Sequence, residues 1–185
     1  TLTSGVPYYI YAKPPTNGVV LTSTEIEYNT TAPTEDTTRQ GGYHSINTTW
    51  RCIGSIRSND SGEVVGFTRD RNLIMLSKQQ TIVGGGSEST YTVFDWDIPF
   101  VCNVIAYRDV KYIDDFSHVY YSLNGIDAYI TIDTAHSSFT QDKRASLEVP
   151  SNSSKQGYYQ WSTTTNNLLY IWRLGYRVPD WIYNG

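Results

Sequence analysis

Residues 118–133 read HVYYSLNGIDAYITID, and this stretch decides the fold class. Val119, Tyr121 and Leu123 occupy every second position before Asn124-Gly125, and a second alternating apolar run follows the turn. Alternation of this kind is typical of a β-strand with one buried face. Because Asn-Gly between two such runs is the strongest short-range signal of a hairpin, the stretch predicts two antiparallel strands.

Short apolar runs separated by turn residues extend in both directions from this hairpin. They cover residues 8–13, 50–57, 63–68, 71–78, 91–96, 100–107, 158–162 and 168–174. About ten short strands with turns between them predict an all-β sandwich or barrel. Gly84-Gly85-Gly86 predicts a break between two of the strands.

Three segments do not follow the strand pattern. The Thr-rich residues 27–42 carry Pro and Gly and predict a long exposed loop. Residues 141–150 have weak helical character or form a loop, and residues 178–183 predict a short terminal helix with Pro179 in its first turn.

Composition supports strands and excludes several classes of partner. The 185 residues, 1–185, predict a single domain, and 16 Tyr and 5 Trp against one Met favour sheet over helix. The formal net charge of −4, with no basic run, argues against a nucleic-acid partner, because a phosphate backbone needs Lys and Arg.

No apolar stretch reaches the roughly 20 residues of a membrane-spanning helix, so we expect no membrane insertion. The chain starts at Thr1 without a signal segment, and we expect it to be a domain cut from a longer protein.

Residues for catalysis or metal binding are sparse. His44, His118 and His136 lack metal-ligand spacing, so we expect neither a metal nor a cofactor. Asp95 and Asp97 share a strand face and keep a two-carboxylate glycosidase open, although solvated charges are the simpler interpretation. We therefore expect a protein that is not an enzyme.

The two cysteines, Cys52 and Cys102, lie in apolar alternating segments where free buried thiols are common. Two cysteines in a chain of this size do not make a disulfide scaffold. We expect both thiols to be unpaired.

Residues 158–164, YYQWSTT, contain the most suggestive binding chemistry. Flat rings stack on the apolar faces of sugars, and Gln, Ser and Tyr side chains can match sugar hydroxyls. In a strand, Tyr159 and Trp161 share one face, and Tyr158, Gln160 and Ser162 share the other. The alternative is a strand whose aromatic side chains fill a core, which is how most buried Tyr and Trp are used.

Several segments, in order, resemble the glycan-binding head domain of the rotavirus outer-capsid spike protein, the fragment that trypsin releases. Residues 14–20, PPTNGVV, resemble its Ala-Pro-Thr-x-x-Gly-Val-Val stretch, and Trp50 with residues 52–56 resembles its Trp-led second strand. Residues 118–129 resemble a hairpin turning at Asn-Gly, and residues 158–164 resemble Tyr-Tyr-Ser-Thr-Thr with two residues inserted. Residues 65–82, 91–98 and 183–185 resemble further segments of that head domain, which occur in the same order along the chain.

The resemblance implies a galectin-like sandwich of two antiparallel sheets with a short C-terminal helix. It also implies a lectin-like attachment domain, exposed at the spike tip on the outer capsid of the virion and joined to the remainder of the spike protein. Its partner would be host cell-surface carbohydrate, and the divergence suggests a member outside the best-studied rotavirus group.

Only some residues of the family's binding cleft have counterparts in this chain. Its Tyr-Tyr pair falls on Tyr158 and Tyr159, and Trp161 beside them is our candidate stacking platform, with Ser162, Arg51 and Tyr43 as further site residues. The family's sialic-acid binders carry Arg directly before the strand-leading Trp, where this chain has Thr49, and Arg51 is one residue beyond Trp50. The position before Trp50 thus lacks the guanidinium, and a net charge of −4 gives no long-range attraction for an anion, so a neutral glycan of histo-blood-group type is favoured over sialic acid.

Two other classes stay open at the level of sequence. A structural or protein-interaction module of a capsid or adhesin would use the aromatic side chains as core and interface anchors. A β-sandwich glycosidase would need two convergent carboxylates. Sugar binding without turnover separates the attachment domain from both.

Overall fold

The structure is a computed structural model that describes residues 2–15, 18, 23–112, 117–134, 141–163 and 167–182, with backbone alone at 112, 133, 134 and 141–143. The chain is all-β, and its described residues form three antiparallel sheets. It divides into two compact units, Thr1–Asn72 with Val178–Gly185, and Leu73–Arg177. The prediction of one domain over residues 1–185 stays a prediction.

The first unit contains a five-stranded antiparallel sheet in the order β2-β1-β5-β4-β3. Its strands are β1 (Pro7–Ala12), β2 (Ile26–Asn29), β3 (Pro33–Asp36), β4 (Gly41–His44) and β5 (Arg51–Arg57). The unit also holds β6 (Phe67–Asp70) and two 3₁₀ turns, Ser23–Glu25 and Asp180–Ile182.

A buried histidine organises the turn after β4. The His44 ring makes edge-to-face contacts with Tyr11 and Trp50, at centroid distances of 4.9 and 5.3 Å. Its Nδ1 accepts the backbone N–H groups of Ile46 and Asn47, each at 3.1 Å. His44 therefore has a structural role in this turn.

The second unit consists of two antiparallel sheets. One has the order β11-β10-β13-β8, and the other contains β12-β9-β14-β7. The strands are β7 (Leu73–Gly86), β8 (Thr92–Asp95), β9 (Asn103–Tyr112), β10 (His118–Ser122), β11 (Ile130–Thr134), β12 (Gln141–Pro150), β13 (Gln156–Trp161) and β14 (Leu168–Arg177).

Hydrogen bonds from large buried side chains join these two sheets into a sandwich. The indole N–H of Trp161 in β13 donates to the carbonyl of Gly86 in β7 at 3.0 Å. The Tyr121 hydroxyl in β10 donates to the Pro150 carbonyl in β12 at 2.5 Å and accepts from the Trp96 indole at 3.1 Å. Because each polar tip has a partner, the rings can fill the core without an unsatisfied group.

The predicted hairpin is confirmed, but its loop is longer than a two-residue turn. β10 and β11 pair antiparallel from His118↔Thr134 to Tyr121↔Ile130. The Asn124 side-chain oxygen accepts the N–H groups of Ile126 and Asp127, which closes the loop locally. Asn-Gly therefore lies inside a seven-residue connection, residues 123–129, and is not the whole turn.

Other predictions need correction. Residues 27–42 are not one loop, because they contain most of β2, all of β3 and the start of β4. Gly84-Gly85-Gly86 lies within β7, and residues 141–150 form β12, whose full-length pairing with β9 overrides weak local preference. The resemblance implies two sheets, whereas the described residues form three.

The structure also bears on the predicted terminal helix and on the two cysteines. The predicted terminal helix is the single 3₁₀ turn Asp180–Ile182, and Tyr183 lies outside the described residues. Cys52 and Cys102 are both free thiols, as predicted. Burial raises the pKa of Cys52 to about 11 and that of Cys102 to about 12.

Candidate functional site

Strand β13 separates the predicted site residues by face. Exposure alternates along Gln156–Trp161, with Tyr159 and Trp161 buried and Tyr158 and Gln160 half-buried. The predicted alternation is confirmed. The two faces have different roles, since only the face that carries Tyr158 and Gln160 is accessible to a ligand.

The inward face belongs to the core, and this corrects two site assignments. Trp161 is 1% exposed and Tyr159 is 4% exposed. The Tyr159 hydroxyl donates to the Glu88 carboxylate; burial raises the pKa of Tyr159, and the hydrogen bond lowers the pKa of Glu88. Trp161 presents no ring face to solvent and is therefore not a stacking platform.

The outward face carries tyrosine rings beside polar groups, and we call it the Tyr158 face. It consists of Tyr91, Val93, Tyr120, Tyr158 and Gln160. Tyr158 lies between Val93 and Ser122 in the ladder, and Gln160 lies opposite Tyr120.

Neighbouring groups fix this face. A Cβ on Gly125 would be 3.0 Å from two ring carbons of Tyr158, so the ring packs against the hairpin loop. The Gln160 amide donates to the Ser89 carbonyl at 2.6 Å. Burial raises the pKa of Tyr91, with smaller contributions from Asp127 and Tyr120.

Ser162 is exposed at the end of β13, but its side chain has a structural bond. Its Oγ accepts the backbone N–H of His118 at 2.8 Å, and its own N–H donates to the His118 carbonyl. Ser162 thus anchors the start of β10.

Tyr43 and Arg51 belong to the first unit, whereas the other four predicted residues belong to the second. Tyr43 in β4 and Arg51 in β5 lie opposite each other in the strand ladder. The Arg39 guanidinium lies 3.6 Å from the centre of the Tyr43 ring and is bonded to Asp36 and to the Thr48 carbonyl. Because Arg39 occupies one face of that ring, Tyr43 is a less accessible stacking surface than its sequence position suggests.

The first unit also contains a cleft of about 450 Å³, which we call the Trp181 cleft. Its described lining residues are Glu35, Thr37, Gln40, Asp180 and Trp181. Trp181 is half-buried, and the Asp180 carboxylate accepts from the Asn72 amide at 3.1 Å. None of these lining residues is Lys, Arg or His.

A glycine positions the indole of this cleft. A Cβ on Gly42 would be 2.5 Å from one ring carbon of Trp181 and 3.1 Å from another. The indole therefore lies directly against the backbone of β4. Any side chain at position 42 would displace the ring.

Sequence reasoning missed the Trp181 cleft because its lining comes from opposite ends of the chain. Glu35 and Gln40 flank the β3–β4 turn, and Trp181 lies in the last 3₁₀ turn. No motif spacing connects such distant segments. The local sequence signal for this cleft was Asp180 beside Trp181, which places a carboxylate next to an aromatic ring in the terminal turn.

Asp95 and Asp97, the pair that kept a glycosidase open, are both engaged in local contacts. Asp97 contacts Arg173 at 3.5 Å and accepts from Gln80, and Asp95 accepts the backbone N–H of Asp97 at 2.6 Å. Within that part of the chain, no group of three His, Cys, Asp or Glu side chains is placed to hold a metal ion. His136 lies outside it.

The helical segments that the structure describes are single 3₁₀ turns, and none is long and apolar enough to cross a membrane. A scan of protein-family models and a search of curated proteins find no match for this chain.

Proposed function

We propose that this protein is a carbohydrate-binding domain without enzymatic activity that attaches a virion to neutral glycans on the host-cell surface, from the tip of an outer-capsid spike. The ordered resemblance to the rotavirus spike head supports the viral role. The observation that carries carbohydrate binding is the Trp181 cleft, where an indole lies beside carboxylate, amide and hydroxyl groups.

The chemistry of the Trp181 cleft suits a sugar ring. The indole offers an apolar face for the C–H groups of a pyranose, while Glu35 and Asp180 can accept hydrogen bonds from hydroxyl groups. Gln40 supplies both a donor and an acceptor. At about 450 Å³, the cleft lies within the roughly 300–1,000 Å³ of typical ligand sites.

The charges favour a neutral glycan over an acidic one. Glu35 and Asp180 would repel the carboxylate of sialic acid, and no cation among the described lining residues offsets them. The formal net charge of −4 provides no long-range attraction for an anion. The histo-blood-group preference remains a proposal within this class.

The Tyr158 face is a second position where the same ligand class can bind. Its half-buried tyrosine rings and the Gln160 amide lie on one surface. A flat sheet surface encloses a ligand less than a cleft does, so we expect it to contribute less affinity.

A glycan array that displays neutral and sialylated oligosaccharides tests the proposal. Parent protein should bind a subset of neutral glycans, and Trp181→Ala should lose at least about tenfold in affinity, or about 1.4 kcal/mol. Tyr28→Ala is the matched control, because this tyrosine of the first unit is 57% exposed and lines neither surface.

The outcomes separate function from site. Loss of binding in Tyr158→Ala but not in Trp181→Ala would move the site to the Tyr158 face. A folded parent that binds no glycan would overturn the proposal and favour a structural or protein-interaction module. Turnover of a glycoside by the parent would favour a hydrolase.

A further inference from the structure

A three-ring cluster occupies the outward face of the second sheet of the sandwich, and we call it the Trp172 platform. Its members are Tyr107 in β9 and Tyr170 and Trp172 in β14. The Tyr170 and Trp172 rings are nearly parallel, at 10° and 5.8 Å between centroids, and Tyr107 flanks Trp172 at 5.9 Å and 41°. All three rings are half-buried, so the cluster presents part of its apolar surface to solvent.

A buried carboxylate lies at the edge of the Trp172 platform. Asp109 is directly opposite Tyr170 in the β9–β14 ladder and opposite Arg144 in the β9–β12 ladder, so the three side chains share one face. Asp109 is only 5% exposed. Its Oδ2 accepts from Arg144 Nε at 3.1 Å, whereas its buried Oδ1 has no hydrogen-bond partner among the described residues.

An unpartnered carboxylate oxygen is an unusual feature of a folded interior. Buried polar atoms nearly always have partners, because leaving one unpaired costs about 1–3 kcal/mol, and more for a charged group. The only described partner of the Asp109 carboxylate is Arg144, whose side chain is 61% exposed. An ion pair with one solvated member adds little stability. Asp109 Oδ1 is thus an energetically costly unpaired acceptor beside three aromatic rings. The ion pair with Arg144 does not offset that cost.

We propose that the Trp172 platform is a further carbohydrate site that binds an uncharged pyranoside, with a sugar hydroxyl donating to Asp109 Oδ1. This rests on the proposed function and adds a site that is separate from the Trp181 cleft and the Tyr158 face. The Tyr170 and Trp172 rings pack against the apolar face of the sugar. Arg144 turns outward to admit the hydroxyl and donates to the sugar's oxygen atoms.

The cations around the Trp172 platform do not make it a site for acidic sugars. Lys111 Nζ lies 5.6 Å from the centre of the Tyr170 ring and is engaged with it, and Arg144 is paired with Asp109. The free acceptor is a carboxylate oxygen. It attracts a hydroxyl donor and repels an anion.

The test uses saturation-transfer NMR and thermal unfolding, with the methyl glycosides of galactose, fucose and N-acetylglucosamine as probes. Asp109→Asn should weaken binding of at least one probe by about tenfold or more, because a charge-assisted hydrogen bond is lost. The same variant should be at least as stable as the parent, because a poorly paired buried charge is removed. Glu148→Gln is the matched control, since Glu148 lies in β12 like Arg144 but has both oxygens bonded to Arg177.

Stability and binding together decide the outcome. Unchanged probe binding in Asp109→Asn and in Tyr170→Ala would overturn the site at the Trp172 platform, and so would a large loss of stability in Asp109→Asn with binding intact. Complete loss of probe binding in Trp181→Ala would overturn the platform while the proposed function stands. A parent that binds neither the probes nor any arrayed glycan would overturn both.

Discussion

Trp161 and Trp181 are both tryptophans beside polar residues, yet one fills the core of the second unit and the other forms the wall of a cleft in the first. Trp161 is 1% exposed and its indole N–H is bonded to Gly86, whereas Trp181 is half-buried against Gly42. Each ring depends on a glycine backbone beside it. The difference shows that strand register and partner segments, and not the local sequence, decide which aromatic ring can meet a ligand.

The largest expected effect is on stability, in Trp161→Ala. Removing a fully buried indole leaves a cavity and deletes the hydrogen bond to the Gly86 carbonyl, so the free energy of unfolding should fall by about 3–5 kcal/mol. Urea unfolding followed by circular dichroism measures this. A loss below about 1 kcal/mol would contradict the assignment of Trp161 to the core.

Gly42→Ala should disturb the cleft with a smaller stability cost. Its Cβ would meet the Trp181 ring at 2.5 Å, so the ring must move, at a cost of about 1–3 kcal/mol. Glycan affinity should fall because the indole no longer lines the cleft. Gly54→Ala in β5 is the control, since its Cβ would meet only Ile10 Cδ1 at 4.0 Å, and unchanged affinity in Gly42→Ala would count against the cleft.

Tyr158→Ala should have a modest effect on binding and little effect on folding. A half-exposed ring contributes about 0.5–1.5 kcal/mol to a stacking contact, so affinity for an extended neutral glycan should fall by roughly threefold to tenfold. Tyr158→Phe retains the ring and should keep most of that affinity. Equal losses in both variants would mean that the hydroxyl, and not the ring, makes the contact.

The smallest effect is the pH dependence of the Tyr159–Glu88 hydrogen bond. This bond lowers the pKa of Glu88, so its contribution is complete above the ordinary carboxyl pKa of about 4.3 and is lost as the pH falls through the lowered value. Glu88→Gln should therefore be less stable than the parent at pH 7, and the difference in stability should be smaller near pH 3. Thermal unfolding at both values checks this, and a difference that persists in acid would exclude the charged hydrogen bond as its source.

Much of the fold was predictable because strand periodicity is local. The hairpin at β10 and β11, the alternation along β13 and the strands at β1 and β5 all follow from spacing within a few residues. Residues 141–150 were misjudged because their strand state depends on pairing with β9, which is distant in sequence.

The candidate sites were less predictable, since each combines distant segments. Alternation correctly separated Tyr158 from Tyr159 and Trp161, but the choice of Trp161 as a platform required knowing which face is the core. Trp181 meets Glu35, and Tyr170 meets Asp109, only through tertiary contacts. Local patterns indicate which side chains share a face but not which face is covered.

The most direct test of glycan binding in the Trp181 cleft is a calorimetric titration of parent and Trp181→Ala with the strongest neutral glycan from the array and with its sialylated form. We expect the parent to bind the neutral glycan and to bind the sialylated form more weakly. Trp181→Ala should lose at least about tenfold in affinity while remaining folded. Equal affinity of parent and Trp181→Ala for the neutral glycan would contradict the proposal that this cleft is the primary site.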